Sequence, residues 1–286
     1  MHGTKQSAAG GPAAAEKGES EMLDAKNVKI GFIGFGNMAQ AMAKGLLATG
    51  AAQPDQICAC AKNWEKLCAN TQPQGMRPCR DAAELAACAD LVVVAVKPYL
   101  VAEVLAPIKE QLREKIVVSV AAGMPFEKYE QILAPGTHHL STVPNTPISV
   151  GEGIIACESR HSLTKEEWAL FEALFGKAAL VQPVDTAQLS VAGTLAGCGP
   201  AFAAMFVEAL ADGAVQQGLP RALAYRLASQ MMVGTGKLQL TTGAHPGAMK
   251  DAVCSPGGTT IVGVAELERH GFRSALIDAL DAIEHK

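Results

Sequence analysis

The chain has 286 residues, of which 49% are hydrophobic and 18% charged, and its formal net charge is −4. This composition excludes a disordered or fibrous protein, and the negative charge argues against nucleic acid or an anionic membrane as the main partner. The length allows two domains.

Residues 1–26 are rich in Ala, Gly, Ser, Glu and Lys and contain no apolar segment, so they match neither a secretory signal nor a transit peptide. We expect them to form a disordered tail. No apolar stretch is predicted to span a bilayer. The eight cysteines show no Cys-x-x-Cys pair and no zinc-ligand spacing, which indicates reduced thiols, a cytoplasmic protein and no metal site.

Short apolar segments alternate with helical patterns from residue 28 to about residue 183. The apolar segments are rich in β-branched residues, as is typical of strands buried on both faces of a parallel sheet. Strands are predicted at residues 28–33, 56–60, 91–96 and 116–120, and helices at 38–48, 81–88 and 101–112. The alternation predicts an α/β fold, with a Rossmann-type doubly wound sheet over residues 27–184.

A glycine motif joins the first predicted strand to the first helix. Gly34 permits a tight turn, Gly36 lets the backbone approach a pyrophosphate, and Ala39 allows close packing of the helix on the strand. Because the motif follows a strand and opens a helix, it predicts a dinucleotide site that includes Gly34, Gly36, Asn37 and Met38.

The second strand bears on the choice of cofactor. An NAD enzyme usually has an acidic residue there to hold the ribose hydroxyls, whereas this chain has Lys62. Lys62 could neutralise a 2′-phosphate or could be a solvated surface lysine. We therefore favour NADP (as NADPH) and leave NAD open.

Two further segments are predicted to line the cofactor. Val96 ends the strand predicted at residues 91–96 and Lys97 and Pro98 follow it, and ligands bind at the carboxyl ends of strands in open α/β sheets. Asn145 lies between two prolines in a rigid loop, which is predicted to present its amide near the nicotinamide.

Residues 185–286 contain helical patterns and no strand pattern. Helices are predicted at residues 200–215, with Pro200 at the first helical position, and at 220–240, 259–270 and 273–283. The segment is rich in Ala and Gly and has few bulky residues. We expect an all-α domain that completes its core against a second subunit.

The sequence Ser-Pro-Gly-Gly-Thr-Thr at residues 255–260 precedes the third of these helices. A glycine turn that leads into a helix N-terminus is suited to bind an anion such as a carboxylate. The alternative is an ordinary helix start capped by hydroxyl groups.

Taken together, the motifs resemble those of pyrroline-5-carboxylate reductases, in order and spacing, from about residue 28 to the end. They are Gly34-x-Gly36-Asn37-Met38-Ala39, Ala95-Val96-Lys97-Pro98, Pro144-Asn145-Thr146-Pro147, Gly197-Cys198-Gly199-Pro200-Ala201 and Ser255-Pro256-Gly257-Gly258-Thr259-Thr260. The resemblance implies that NAD(P)H reduces 1-pyrroline-5-carboxylate to L-proline. It also implies that the C-terminal helices form a homodimer, within a larger ring such as a decamer.

The resemblance further assigns substrate contacts to the turn at residues 255–260. The substrate carboxylate is expected on its backbone N–H groups, including those near Gly257 and Gly258, with Ser255 and Thr259 nearby. Thr260 is expected to bond to the ring nitrogen and is the predicted catalytic residue.

Residues 141–143 read Ser-Thr-Val, whereas the family commonly has Arg-Val-Met before the Asn145 loop. Two further positions, Cys198 and Phe202, also depart from the family pattern, because family members often have Ser and Tyr there. They leave open an NADP-binding regulatory paralogue without catalytic activity. The β-hydroxyacid dehydrogenases, another family considered for this chain, are rejected, since residues 203–210 contain no lysine and that family requires a catalytic lysine on this helix.

Overall fold

The computed structural model describes residues 24–286, and its N-terminal domain is built on one eight-stranded sheet. The strands follow one another along the sheet in the order β3-β2-β1-β4-β5-β6-β7-β8. Their bounds are β1 Ile30–Ile33, β2 Ile57–Cys60, β3 Arg77–Cys79, β4 Leu91–Val94, β5 Ile116–Ser119, β6 His138–Pro144, β7 Gly153–Glu158 and β8 Ala179–Val184.

The first six strands are parallel, and β1 lies between β2 and β4. Strand β7 runs antiparallel to β6, and β8 runs parallel to β7. The reversal of strand order next to β1 places a crevice at the carboxyl ends of β1 and β4, where such sheets bind ligands.

Helices cover both faces of the sheet. They are α1 Asn37–Ala48, α2 Trp64–Thr71, α3 Ala82–Cys88, α4 Val101–Leu105, α5 Phe126–Ile132 and α6 Lys165–Phe175. One core contains Phe32, Met42 and Phe171, and the core on the other face contains Ile33 and Leu85. Alternate residues of β1 thus face opposite cores, and the predicted doubly wound fold is confirmed.

The C-terminal domain consists of helices, as the sequence predicts. They are α7 Leu189–Gln216, α8 Arg221–Thr242, α9 Pro246–Ala252, α10 Thr259–Arg269 and α11 Phe272–Glu284. The predicted helix start at Pro200 is wrong, because α7 begins at Leu189 and Pro200 lies inside it. Proline is common at a helix start, and a tertiary contact described below explains why this one is tolerated in an interior position.

The expectation that no segment is long and apolar enough to span a bilayer is wrong for helix α7. The segment Thr186–Gln216 is long and apolar enough, by length and composition, to cross a membrane. Its apolar side chains are largely exposed in the single chain, for example Leu195 at 62% and Met205 at 67%. The surface of α8 is similar, with Leu240 at 76%. These helices therefore require a covering partner surface.

The predicted tail at residues 1–26 lies mostly outside the described residues. At the beginning of the described part, the buried Gln56 side chain donates hydrogen bonds to the carbonyls of Ala25 and Val28, at 2.9 Å each. These bonds attach residue 25 to the edge of the N-terminal domain.

Candidate functional site

The turn from β1 to α1 forms a backbone cradle. Gly34 has φ +90°, and a Cβ at this position would lie 2.7 Å from the Ala95 carbonyl oxygen, so only glycine fits. The Gly34 N–H donates to the Cys60 carbonyl at 2.9 Å, which fixes the turn against β2. The turn thus meets the geometric requirement of the predicted glycine motif.

The N-terminus of α1 faces open space. Gly36 precedes the helix in an extended conformation, and a Cβ there would meet no atom within 4 Å. In the described part of the chain, no side chain caps the helix and no acidic residue occupies its first turn. Ala39 is buried against the sheet, while Asn37 is exposed. Free N–H groups at an open helix N-terminus fit a pyrophosphate, so the residues present suit a dinucleotide.

Two cations lie near the carboxyl end of β2, Lys62 in the loop that follows β2 and Arg80 directly after β3. Lys62 is exposed and forms no ion pair within residues 24–286, and the following Asn63 caps α2 by accepting from the Lys66 N–H at 2.9 Å. The Arg80 guanidinium stacks on the Trp64 ring, 3.7 Å from its centroid. Sequence reasoning missed Arg80, because a contact over 16 positions has no local signal. The surface beside the end of β2 therefore carries a second cation in addition to Lys62.

The segment after β4 lies beside the glycine turn. The Ala95 N–H donates to the Ile33 carbonyl at 2.8 Å, and a Cβ on Gly34 would lie 2.9 Å from Val96 Cγ1. Lys97 and Pro98 are exposed, and Pro98 begins a short 3-10 helix. Three of the predicted cofactor contacts, at Gly34, Gly36 and Val96, thus lie around one crevice.

A cleft of about 460 Å³ separates the sheet from the first turns of α7. The sheet side is formed by residues 121–125 after β5 and by residues 141–143 of β6. The helix side is formed by Leu189, Ser190, Gly193, Thr194, Gly197 and Cys198. Gly193 allows close packing, because a Cβ there would lie 3.0 Å from Val143 Cγ1. The cleft opens at the carboxyl ends of β5 and β6.

Asn145 joins the sheet to α7. Its Oδ1 accepts from the Ile154 N–H at 2.8 Å, and its Nδ2 donates to the Ala196 carbonyl at 3.1 Å. Pro200 has no N–H to donate to that carbonyl, which lies four residues earlier, so Asn145 replaces the missing helix bond. Asn145 is 4% exposed. Its predicted contact with the cofactor stays a prediction, whereas its contact with α7 is a structural role that sequence reasoning missed.

Glu158 is another missed residue, fully buried at the end of β7. Its carboxylate accepts from the Phe126 N–H and the Thr186 hydroxyl, both at 2.6 Å. Phe126 begins α5, and Thr186 lines the cleft. Glu158 therefore fixes two segments that adjoin the cleft. A Glu at the end of an apolar strand gives no sequence signal for such contacts.

The 255–260 turn is a tight turn that starts α10. The Gly258 N–H donates to the Ser255 carbonyl at 3.0 Å, and Gly257 has φ +67°, a conformation that favours glycine. A Cβ on Gly258 would lie 2.4 Å from Ser255 Oγ. No side chain among residues 24–286 caps α10, and Thr259 and Thr260 are exposed. The first turn of α10 is thus free to bind an anion.

The turn and the cleft do not meet in the single chain. Among the described residues, those that line the cleft include none from the 255–260 turn. Helix α10 packs on α11, and α11 packs on α7. The two halves of the predicted site are therefore both formed but separate.

Comparisons with known proteins give matching results for both domains. A family model described as pyrroline-5-carboxylate reductase dimerisation matches residues 186–286, and one described as NADP oxidoreductase coenzyme F420-dependent matches residues 29–123. The pyrroline-5-carboxylate reductase of Treponema pallidum is 44% identical over 259 residues, 89% of this chain and 98% of the relative. That of Escherichia coli is 40% identical over 258 residues, 88% and 94% of the two chains.

Solved structures of the same family of reductases are also similar to this chain over most of its length. A pyrroline-5-carboxylate reductase from Coxiella burnetii superposes with a TM-score of 0.79 at 32% identity, covering 90% of this chain and 96% of the other. The pyrroline carboxylate reductase of Plasmodium falciparum with NADP bound gives 0.80 at 28% identity, covering 90% and 95%.

Proposed function

The chain belongs to the pyrroline-5-carboxylate reductase family, and we propose that its interdomain cleft and its 255–260 turn together form the site of that family's reaction. The protein is an NAD(P)H-dependent oxidoreductase that reduces 1-pyrroline-5-carboxylate to L-proline in proline biosynthesis, with NADP as its cofactor. The observation that supports this proposal is the N-terminus of α10, which follows a tight glycine turn and is capped by no side chain of the described residues.

The reduction adds a hydride to the carbon of the C=N bond, and the π electron pair moves to the ring nitrogen, which ends protonated. Bound NADPH supplies the hydride, so the chain's own residues need only hold and polarise the substrate. The substrate carboxylate accepts hydrogen bonds from the N–H groups at the start of α10, beside Ser255 and Thr259. The Thr260 hydroxyl bonds to the ring nitrogen.

The cofactor occupies the crevice around Gly34, with its pyrophosphate at the N-terminus of α1. Lys62 and Arg80 hold a 2′-phosphate at the end of β2, which makes NADPH the preferred form. The exposed position of Lys62 and the stacking of Arg80 on Trp64 support this assignment, because both cations then lie near the carboxyl end of β2.

Lys62→Ala is expected to raise the KM for NADPH about tenfold and to leave the KM for NADH within about twofold, since one charge-assisted hydrogen bond to the phosphate is lost. Steady-state kinetics with both cofactors measure this effect. Lys66→Ala is the matched control, because Lys66 is an exposed lysine of the same segment. Equal changes for the two cofactors would remove Lys62 from phosphate recognition.

The C-terminal helices form a homodimer. Exposed apolar side chains on α7 and α8, such as Leu195 and Leu240, supply its interface. Because the turn and the cleft are separate in one chain, we place the turn of one subunit at the cleft of the other. Assembly of the dimers into a larger ring such as a decamer and a cytoplasmic location are further proposals; the free state of all eight cysteines supports the second.

Subunit complementation tests the shared site. Gly36→Asp places a carboxylate at the cofactor pyrophosphate while still capping α1, and Thr260→Ala removes the substrate contact. Each variant alone is expected to keep no more than about a tenth of the wild-type rate of NADPH oxidation with 1-pyrroline-5-carboxylate. Mixed dimers are expected to recover activity, because one of their two sites combines an intact cleft with an intact turn.

The pure variants, mixed without subunit exchange, are the control. No gain in the mixed dimers would place the cleft and the turn of each site in one subunit. A wild-type protein that binds NADPH but does not oxidise it with this substrate would favour the regulatory alternative.

A further inference from the structure

Three cysteine side chains outside the substrate and cofactor site meet in the N-terminal domain. Cys58 lies on β2, Cys79 ends β3, and Cys88 ends α3. The Cys88 Sγ is 3.4 Å from the Cys58 Sγ and 4.0 Å from the Cys79 Sγ, and all three sulfurs lie within 4.8 Å of one another. Cys58 and Cys79 are buried, and Cys88 is partly exposed.

The spacing of the sulfurs suits a shared ligand. Thiolates bind soft ions with filled d shells at about 2.3 Å, so three sulfurs in a trigonal plane around one such ion lie about 4 Å apart. The two separations from the Cys88 Sγ, 3.4 Å and 4.0 Å, are close to this value, and the Cys58 and Cys79 sulfurs lie within 4.8 Å of each other. Parallel pairing brings Cys58 and Cys79 to the same face of the sheet, where Cys88 reaches them from α3.

We propose that Cys58, Cys79 and Cys88 bind one Cu(I) ion through three sulfur ligands. Within the described residues, no histidine or carboxylate joins the three sulfurs as a fourth ligand. A structural zinc site uses four ligands, whereas soft sulfur donors select Cu(I), which accepts three. The partly exposed Cys88 gives the ion a route to the buried sulfurs.

The surroundings of the cluster define the chemistry of binding. Burial raises the pKa of the Cys79 thiol to about 12 and also raises the pKa of the Cys58 thiol. Each thiol that coordinates the ion loses its proton to solvent as its Cu–S bond forms, and copper remains Cu(I). Glu84 and Arg77, which form an ion pair beside Cys79, act on the pKa of its thiol in opposite directions: Glu84 raises it and Arg77 lowers it.

The site lies apart from the proposed catalytic residues, on the other side of β2 from the main core. An ion there would connect β2, β3 and α3. Strand β2 ends at Cys60, whose carbonyl holds the Gly34 turn, so the ion would stiffen the support of that turn without contacting the substrate.

Competition for Cu(I) tests the proposal. The reduced, full-length protein is titrated without oxygen against the chromophoric Cu(I) complex of bicinchoninate. The wild type and Cys68→Ser are expected to withdraw one more equivalent than Cys88→Ser, whose affinity at the cluster falls at least about tenfold. Cys68 is the matched control, since it is a partly exposed helical cysteine of the same domain outside the cluster.

X-ray absorption on the one-equivalent wild-type complex gives a readout that needs no variant. Three sulfur neighbours at about 2.3 Å are expected. Uptake by Cys88→Ser equal to that of the wild type, an equal loss in Cys68→Ser, or nitrogen or oxygen neighbours of copper would overturn the proposal. In each of these cases the three thiols serve only as small core side chains.

Discussion

Thr260→Ala is expected to lower kcat for 1-pyrroline-5-carboxylate at least about tenfold while the Kd for NADPH stays unchanged. Thr260 lies in the first turn of α10, where its hydroxyl is exposed and has no structural partner among residues 24–286. Its removal therefore costs little stability. The loss falls on the transition state, because negative charge develops on the ring nitrogen as the hydride arrives, and a positioned hydroxyl stabilises that charge.

Thr260→Ser is the matched control for the hydroxyl group. It keeps the oxygen and removes only the methyl group, so it should retain most of the wild-type kcat. Thr259→Ala provides a second comparison, since the hydroxyl of Thr259 is assigned to the carboxylate and its loss should raise KM more than it lowers kcat. An unchanged kcat in Thr260→Ala would remove this residue from the mechanism.

The fold was predictable where local patterns determine it. The segment Leu91–Val94 is apolar at every position and forms a central strand, and Gly34 and Gly36 occupy the turn that their motif implies. The start of α10 at Thr259 also follows local rules. The two glycines before it form a turn with a backbone conformation that does not occur within a helix, so the helix begins after them.

Contacts between distant residues could not be predicted in this way. The cluster of Cys58, Cys79 and Cys88 has no motif spacing and forms only when β2 pairs with β3 and α3 packs on them. The separation of the 255–260 turn from the cleft is likewise a property of helix packing, which a single sequence pattern does not encode. The helix start expected at Pro200 failed for the same reason, since Asn145, which compensates for this proline, lies 51 positions before the Ala196 carbonyl that it bonds to.

Asn145→Ala is expected to lower the free energy of unfolding by roughly 2–4 kcal/mol, because it leaves one buried and one partly buried backbone group without partners. These are the Ile154 N–H in β7 and the Ala196 carbonyl in α7. Urea denaturation at a fixed protein concentration measures the loss, since the dimer makes stability depend on concentration.

A double-mutant cycle with Pro200 isolates the interdomain part of this loss. Pro200→Ala restores an N–H that can donate to the Ala196 carbonyl within the helix, so this carbonyl no longer depends on Asn145. Asn145→Ala should therefore cost about 1 kcal/mol less in the Pro200→Ala background than in the wild type. Equal costs in the two backgrounds would show that Asn145 does not compensate for the proline. A smaller cost would identify the Asn145–Ala196 bond as the reason that a proline is tolerated inside the helix that lines the cleft.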